Sequence, residues 1–354
     1  MRNLKAFEKF VFVINSLMAF ALLLSYLLPY VEPRRFGFLS VLSLAVPFLI
    51  LVNLLFLVYW LLKTKKQLFL SLFVLGLGYS HVLSLYKFSG SKHLDDRKNL
   101  LVMNYNVRLF NVYDWIDDPN VGKDIVDFIA EKKPDIICIQ EYRKYDDFAL
   151  VGYEKYEEFV GKKSSSGQAI FSKYPIIKSG SINFPKTFNN AIFADILKGN
   201  DTIRVYNVHL QSSGIQPDQE ELTTENSESM VKRVSSTFKM QQSQTELFLK
   251  HKSKCPYQMI ICGDFNNTAY SYVYKEIKGD LKDAFKRAGN GFGRTYDFKF
   301  FPVRIDFVLV DEGFEINAFK TFDVEYSDHF PIMAKIKLKS TTSSSSPPDL
   351  PSNE

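Results

Sequence analysis

The stretch "MIICGDFNNT" (residues 259–268) is an apolar run that stops at Asp264 and then presents the amide side chains of Asn266 and Asn267. A short apolar run bounded by turn-forming residues predicts a buried β-strand. The predicted strand therefore ends in a carboxylate, and polar groups held at strand ends often form binding and catalytic sites. If the backbone stays extended, Asp264 and Asn266 lie on one face of the strand and can address the same water molecule or phosphate.

Polar side chains end or open other apolar runs in the same part of the chain. These runs are "LLVMNYN" with Asn106, "DIICIQE" with Glu141, "VYNVHL" with His209, "RIDFVL" with Asp306, and "YSDHFPI" with Asp328 and His329. Taken alone, any one of these residues is more often a turn former than a ligand. Their joint occurrence in one region favours a common site. The remaining histidines are interpreted as one residue inside an apolar span, His81, and two surface or linker residues, His93 and His251.

The chemistry of this set suits a phosphoryl group and a hard cation. Oxygen donors favour magnesium or manganese over zinc. The donors here are the carboxylates of Glu141, Asp264 and Asp328 and the amide oxygen of Asn106. Two histidines in acidic company suit proton transfer or the stabilisation of charge on phosphorus.

Strand-like runs alternate with helical patterns over about 240 residues, a length that suits one α/β domain. The predicted strands are "LLVMNYNV", "DIICIQ", "QAIFSK", "AIFADI", "IRVYNVHL", "QMIICG", "RIDFVLV" and "PIMAKIKL". Amphipathic helices are predicted over residues 123–134, where Pro134 ends the pattern, and over residues 236–250. The acidic stretch 216–230 predicts a surface loop, and residues 340–354 have the composition of a disordered tail.

The first quarter of the chain is dominated by three long apolar runs. Each is long enough, at about 20 residues, to cross a bilayer as a helix. The predicted spans cover about residues 10–28, 37–62 and 67–86, within an anchor of residues 1–88 that a short linker (89–98) joins to the domain. A soluble helical bundle would need polar stripes at helical spacing, which these runs lack.

The charges of the short loops suggest an orientation for these spans. Six basic residues fall on the side of the N-terminus and two on the other side: Arg2, Lys5, Lys9, Lys63, Lys65 and Lys66 against Arg34 and Arg35. This bias predicts a cytoplasmic N-terminus and a domain outside the cytoplasm. Counting the four basic residues after the third span (Lys87, Lys92, Arg97 and Lys98) makes the two sides equal. The predicted location is a bacterial inner membrane, with a multi-pass anchor.

The net charge of +5 resides in the anchor region. Residues 1–98 contain 12 Lys and Arg against 4 Asp and Glu, which leaves 32 basic and 35 acidic residues in the remainder. The predicted domain therefore lacks the bulk basicity of a typical phosphate-backbone binder. The cysteines Cys138, Cys255 and Cys262 are odd in number, and two of them lie inside strand-like runs, so we interpret them as packing residues.

The ordered set of motifs "NYNV", "IQE", "VHLQS", "GDFN", "RIDFVLV" and "SDHFPI" resembles the endonuclease/exonuclease/phosphatase family, over residues 99 to about 339. The resemblance implies two packed β-sheets flanked by helices, a four-layer α/β/β/α sandwich. It also implies metal-dependent hydrolysis of a phosphate ester. Magnesium or manganese is the expected cation, with calcium as an alternative.

Carried over motif by motif, the resemblance implies a role for each site residue. Glu141 would be the principal metal ligand, with Asn106 and Asp328 near the metal. Asp264 and Asn266 would position or activate the attacking water. His329, oriented by Asp306, would contact the phosphate, and His209 would stabilise the transferring phosphoryl group. Unlike deoxyribonuclease-like members, the stretch "KKSSSGQAIFSK" offers His209 no acidic partner.

The sequence thus predicts a membrane-anchored phosphoesterase, with a phosphodiester as the expected bond. The alternatives are a nuclease acting on DNA or RNA and an inert, membrane-tethered binding module of the same fold. Expected partners are the lipid bilayer and a phosphate ester, which is a lipid, a small molecule or a nucleic acid. No obligate protein partner is implied.

Overall fold

The fold is taken from a computed structural model that describes residues 4–92, 98–145, 148, 150–160, 166–215, 224–298 and 301–339. The predicted tail (340–354), His93 and most of the linker before the domain lie outside these residues. So does the first half of the predicted acidic loop.

The N-terminal region forms five helices: α1 (Ala6–Ser25), α2 (Gly37–Val41), α3 (Val46–Leu62), α4 (Leu68–Leu77) and α5 (Tyr79–Leu85). Two stretches of the described chain, Ala6–Tyr30 and Gly37–Leu62, are long and apolar enough to cross a membrane. The third predicted span is not one straight helix, because α4 and α5 meet at an angle of 82°. Two of the three predicted spans are therefore present as helices of spanning length, and the third would have to be the bent pair of α4 and α5.

The bend between α4 and α5 lies at Gly78. The hydroxyl of Tyr26 donates a hydrogen bond to the carbonyl of Val74 (3.0 Å) and occupies the space where a side chain at position 78 would begin. Only glycine lets the Tyr26 ring approach this closely. The sequence pattern missed the bend because α4 and α5 are both apolar and no proline separates them.

Polar side chains join the apolar helices in their interior. The amide of Asn15 donates to the hydroxyl of Ser71 (2.8 Å), and the indole N–H of Trp60 donates to the amide oxygen of Asn15 (2.9 Å). Such interhelical hydrogen bonds hold apolar helices together where lipid offers no hydrophobic driving force.

The rest of the described chain holds twelve strands and four further helices. The strands are β1 (Leu100–Asn106), β2 (Ile136–Tyr142), β3 (Glu154–Phe159), β4 (Gly167–Ser172), β5 (Ile176–Asn183), β6 (Asn190–Lys198), β7 (Asp201–His209), β8 (Gln258–Asp264), β9 (Lys282–Asp283), β10 (Asp306–Val310), β11 (Phe314–Thr321) and β12 (Ile332–Leu338). The helices are α6 (Val121–Lys132), α7 (Thr224–Lys252), α8 (Tyr272–Lys278) and α9 (Ala284–Ala288). All eight predicted strands are present.

The strands form two six-stranded sheets, in the orders β11-β12-β1-β2-β4-β3 and β5-β6-β7-β8-β10-β9. The pairs β1/β2 and β7/β8 are parallel, and the other pairs are antiparallel. Apolar residues of both sheets face each other in one central core. Two further cores lie outside the sheets, one beneath α6 and one beneath α7 and α8. This confirms the predicted α/β/β/α sandwich.

Helix α7 begins earlier than the sequence pattern predicted. It starts at Thr224 instead of near residue 236, so residues 224–230 are helical and do not belong to a loop. Charged and polar residues dominate its first turns, and this composition resembles a loop although several of them are good helix formers. The predicted helix before Pro134 is confirmed as α6.

Cys138 and Cys262 lie where the two sheets pack against each other. Cys138 and Cys262 are fully buried in the central core, and all three cysteines are free thiols. The interpretation of Cys138 and Cys262 as packing residues is confirmed.

The sandwich rests directly on the helical region. The backbone N–H of Arg34 donates to the side chain of Gln242 (2.9 Å), and the Arg34 guanidinium pairs with Glu246 (2.5 Å). Further along, Lys87 and Gly291 exchange two backbone hydrogen bonds of 2.9 and 2.8 Å. These contacts join the sandwich to the loop that follows α1 and to the segment that follows α5.

Candidate active site

Strand register brings the predicted site residues together. Asp264 ends β8 and lies directly opposite His209 of β7 on one side and Asp306 of β10 on the other. Gly263 makes the first approach possible, because a side chain there would collide with the backbone carbonyl of Val208. The sequence "CGD" therefore places the Asp264 carboxylate beside the His209 ring.

A buried row of three groups, Asp306, His329 and Asp264, forms the centre of the site. Nδ1 of His329 lies 2.9 Å from Oδ2 of Asp306, and its Nε2 lies 3.6 Å from Oδ2 of Asp264. The Asp306 carboxylate therefore fixes the ring orientation, which directs Nε2 towards the second carboxylate. Ser327 supports this position, since its hydroxyl accepts a hydrogen bond from the backbone N–H of His329 (3.2 Å).

The charges of this row follow from burial and mutual attraction. Burial raises the pKa of Asp264 to about 7, against the lowering effect of His329. Burial alone would lower the pKa of His329, but the charges of Asp306 and Asp264 outweigh it and raise the pKa to about 10. At neutral pH His329 is therefore an imidazolium, while Asp264 can accept a proton.

His209 differs from His329 in its surroundings. Its Nε2 lies 3.7 Å from Oδ2 of Asp264 and has no hydrogen-bond partner within the described part of the chain. Burial, helped by the positive charge of His329, lowers the pKa of His209 to about 3. His209 is thus a neutral, buried ring whose Nε2 is unpaired among the described residues.

Asn106 and Glu141 form the neighbouring group at the ends of β1 and β2. The amide of Asn106 donates to Glu141 (3.1 Å) and to Asp264 (3.1 Å), and its oxygen accepts from the backbone N–H of Arg108 (3.1 Å). Burial raises the pKa of the Glu141 carboxyl, and the charge of Asp328 raises it further. A further positive charge beside Glu141 would favour the ionised carboxylate and so counteract both effects on its pKa.

Two site residues adopt backbone conformations that non-glycine residues rarely take. Glu141 and Asn266 each have a φ of 48°. Strain of this kind costs of order 1–3 kcal/mol and persists where the surroundings impose it, often at functional sites. Asn266 is held by the carboxylate of Asp264, which accepts its backbone N–H (2.8 Å) and its side-chain amide (3.2 Å).

Asp328 lies at the rim of the site. Its carboxylate is 26% exposed and pairs with Nε of Arg108 at 3.3 Å. The Arg108 guanidinium also lies over the ring of Trp115, 4.5 Å from its centroid. All eight predicted site residues therefore gather at one end of the two sheets.

The sequence analysis missed a buried polar chain that supports the site. Gln140 donates to Asn104 (2.7 Å) and to Asn207 (2.5 Å), and Asn104 in turn donates to Asp306 (3.3 Å). These amides link both sheets to the carboxylate that orients His329. Two of them stand two residues before a predicted site residue, Asn104 before Asn106 and Asn207 before His209. This same-face spacing inside apolar strands was a usable signal.

The donor set fits a divalent cation. Glu141 and Asp328 both line one cavity, and the Glu141 carboxyl is buried without a positive partner close enough to keep its pKa low. A second group of possible ligand atoms, from Asp264, Asp306 and His329, lies within 4.8 Å of one another. In that group Asp306 and His329 already bond to each other, and Asp328 pairs with Arg108, whereas Glu141 accepts a hydrogen bond from the amide of Asn106.

The site opens into a cavity of about 440 Å³. Glu141, Asn266, Asp328 and His329 line one part of it. This volume lies within the range of small-molecule sites. Aromatic and apolar residues dominate the remaining walls.

Two family models match the chain. One, described as the endonuclease/exonuclease/phosphatase family, matches residues 103–329. The other, described as a domain of unknown function (DUF8431), matches residues 8–85. No match was found among curated proteins.

Solved structures with a similar fold come from several organisms. The human Nocturnin catalytic domain is 16% identical, with a TM-score of 0.54, over 72% of this chain and 97% of that one. A D. rerio TDP2 humanized by 14 mutations is 15% identical, with a TM-score of 0.52, over 68% and 99%. A mannosyl-6-phosphatase of Bacteroides thetaiotaomicron is 19% identical, with a TM-score of 0.51, over 67% and 99%. These likenesses establish a shared fold.

Proposed function

The chain belongs to the endonuclease/exonuclease/phosphatase family, and from this we propose that it is a membrane-anchored hydrolase of phosphate esters that depends on a divalent cation. The observation that carries the proposal is the buried row Asp306, His329 and Asp264, whose central residue His329 lines the same cavity as Glu141 and Asp328. A phosphodiester is the proposed bond. The completeness of the site argues against an inert binding module.

Magnesium or manganese is the proposed cofactor, with calcium as the alternative. Glu141 and Asp328 would hold the ion, with Asn106 beside it. When bound, the cation would neutralise charge on the phosphate oxygens and polarise the phosphorus centre. Asn106 holds the Glu141 carboxylate in place through its amide N–H.

The residues around Asp264 would act on the water and the phosphate. Asp264 would accept a proton from the attacking water, which Asn266 helps to orient. The water oxygen would bond to phosphorus as the bond to the leaving oxygen breaks on the opposite side. His329, cationic and fixed by Asp306, would donate a hydrogen bond to the phosphoryl group, and His209 would offer a neutral N–H.

The proposed domain boundaries are an anchor over residues 1–88 and a catalytic domain over residues 99–339. The loop between the first two apolar helices supports an orientation, because Arg34 of this loop contacts α7 of the sandwich. This loop and the sandwich would therefore lie on the same side of the membrane. The N-terminus would lie on the opposite side.

Helix α4 supports three crossings in spite of the bend. It runs alongside α1 in the same direction, with Ser71 against Asn15 and Val74 against Tyr26. With ten residues α4 is too short to cross a bilayer alone, so α4 and α5 together would return the chain to the side of the sandwich as one broken span. With the lysines of the α3–α4 turn inside, the catalytic domain would lie outside the cytoplasm. Protease digestion of a C-terminally tagged chain in intact spheroplasts, with inverted vesicles as control, tests this orientation.

Hydrolysis of bis-para-nitrophenyl phosphate by the full-length chain in detergent tests the activity. We expect turnover with magnesium or manganese and its loss with a chelator. Glu141→Gln should lower turnover by orders of magnitude, and the cation should no longer raise the free energy of unfolding of this variant. The matched control is Glu157→Gln, since Glu157 bonds to Tyr142 and does not line the cavity. Equal activity of the two variants would contradict the proposal.

A further inference from the structure

The cavity at the active site is enclosed in part by the membrane anchor. Four of its lining residues come from the helical region: Leu44, Pro47, Ser84 and Leu85. They lie in the turn before α3, at the start of α3 and at the end of α5. The domain-facing end of the anchor is therefore a wall of the catalytic cavity.

The far wall of the cavity is apolar and continuous with the packed core of the anchor. Tyr270 and Phe301 line the cavity and belong to the same hydrophobic cluster as Leu85 and the apolar residues of α1 and α3. Phe292, which is 41% exposed, and Leu44, also 41% exposed, add apolar surface to the cavity. A ligand that reaches from His329 to Leu44 thus passes from charged to hydrocarbon surroundings.

The charged residues of the cavity do not suit a polyanion. Among the described residues that line it, the only lysines or arginines are Arg108 and Arg304. Arg108 pairs with Asp328 at 3.3 Å, and Arg304 is buried against Asp283 at 2.9 Å. A nucleic-acid backbone needs a track of available positive charge, and these two residues do not form one.

We infer that the substrate is an amphiphilic phosphate ester of the membrane, whose hydrocarbon tail lies against Leu44, Pro47 and Leu85 while its phosphate lies at Asp264 and His329. This inference rests on the proposed function and specifies its substrate class. Apolar walls recognise a tail by removing it from water. Leu44 and Pro47 belong to the stretch Gly37–Leu62, which is long and apolar enough to cross a membrane, so the tail of a bilayer lipid would lie beside them.

Two phosphodiesters that share a leaving group test this inference. The full-length chain in nanodiscs is assayed with methyl para-nitrophenyl phosphate and with dodecyl para-nitrophenyl phosphate. In both, water bonds to phosphorus and para-nitrophenolate leaves, so the two esters differ only in the tail. Their different partition into the bilayer is the same for every protein variant and cancels when variants are compared.

Leu44→Gln is the test variant and Leu42→Gln is its matched control. Both leucines lie in the turn Leu42–Ala45 with nearly equal exposure (41% and 42%), but only Leu44 lines the cavity. We expect Leu44→Gln to lower kcat/KM for the dodecyl ester by about tenfold. The methyl ester should be hydrolysed as by the wild type, which also reports intact folding. Leu42→Gln should change neither ester.

The outcomes separate the inference from the function it rests on. If Leu44→Gln affects both esters equally, or affects neither, the tail does not lie at Leu44 and the inference is wrong although the hydrolase activity stands. Faster hydrolysis of a single-stranded oligonucleotide than of the dodecyl ester by the wild type would also overturn it. If the wild type hydrolyses no ester with magnesium or manganese, the proposed function itself fails.

Discussion

Two buried acid–base pairs whose carboxylates lie on the same sheet differ in how completely they are bonded. In the first, both carboxylate oxygens of Asp195 accept from the guanidinium of Arg204, at 2.6 and 2.7 Å. In the second, Asp306 bonds to Nδ1 of His329 at 2.9 Å, while Nε2 of the same ring faces Asp264 at 3.6 Å, beyond hydrogen-bonding distance. The first pair is saturated and the second keeps one donor available.

This difference distinguishes a buried charge that stabilises the fold from a buried charge that can act on a ligand. The Arg204 guanidinium also packs over the Phe193 ring at 4.5 Å, so packing fixes it on a further side. His329 faces an open cavity instead. A buried pair that is fully bonded contributes chiefly to a unique fold, whereas one with an unused donor can act on a ligand.

The strongest test of this contrast removes the available donor. His329→Gln can still bond to Asp306 but carries no positive charge, so we expect turnover to fall roughly 10³-fold with the fold intact. Metal-dependent hydrolysis of bis-para-nitrophenyl phosphate measures the change. His251→Gln is the control, because His251 bonds to Tyr206 away from the cavity. Similar losses in both variants would remove the distinction between the two pairs.

Breaking the Asp195–Arg204 pair should lower the stability of the fold and leave turnover unchanged. Arg204→Met leaves the Asp195 carboxylate buried without a partner, which we expect to lower the free energy of unfolding by about 3–5 kcal/mol. Thermal denaturation of the full-length chain measures this, and turnover below the transition should stay unchanged. The double variant Asp195→Leu/Arg204→Met should recover much of the loss. An unstable double variant or a catalytic defect in Arg204→Met would show that the pair does more than stabilise.

The pH dependence of turnover sharpens the contrast within the site. Asp264 must be unprotonated to accept a proton, and burial raises its pKa to about 7, so turnover should fall about tenfold per pH unit below that value. His329 must stay protonated, and burial is outweighed by Asp306 and Asp264, which raise its pKa to about 10, so activity should fall only above that pH. Asp306→Asn should move the alkaline limit to lower pH. A pH profile that is flat from 5 to 7 would contradict the role of Asp264.

The smallest expected effect concerns two cysteines in the central core. Cys138 and Cys262 are buried among apolar residues of both sheets. Cys138→Ser and Cys262→Ala should each cost about 1 kcal/mol of stability through packing. Calorimetric cation binding and turnover should match the wild type. A selective loss of cation binding in either variant would show that a thiol takes part in the site.

Much of the site was predictable because a polar residue that directly follows an apolar run marks the end of a strand. "GDFN" placed Asp264 and Asn266 at the end of β8, and the structure puts them beside His209 and His329. The two-sheet sandwich was implied by the family resemblance that the order of these motifs carries. The roles assigned to the eight residues stay predictions.

Other features depend on contacts between distant segments, which a single sequence does not display. The bend at Gly78 depends on where Tyr26 packs, 52 residues earlier in the chain. The polar chain from Gln140 to Asp306 depends on how two sheets face each other. The anchor wall of the cavity was missed because we treated the apolar runs only as membrane spans.

Because of that wall, the helical region cannot be exchanged without also changing the cavity of the sandwich. Because Leu44 and Leu85 complete a cavity whose other sides belong to the sandwich, the anchor is not an interchangeable module. Recombination that joined the sandwich to unrelated helices would keep the strand-end chemistry but rebuild the surface opposite it. Replacing the helical region alone would therefore change one wall of the cavity while leaving the residues at the strand ends in place.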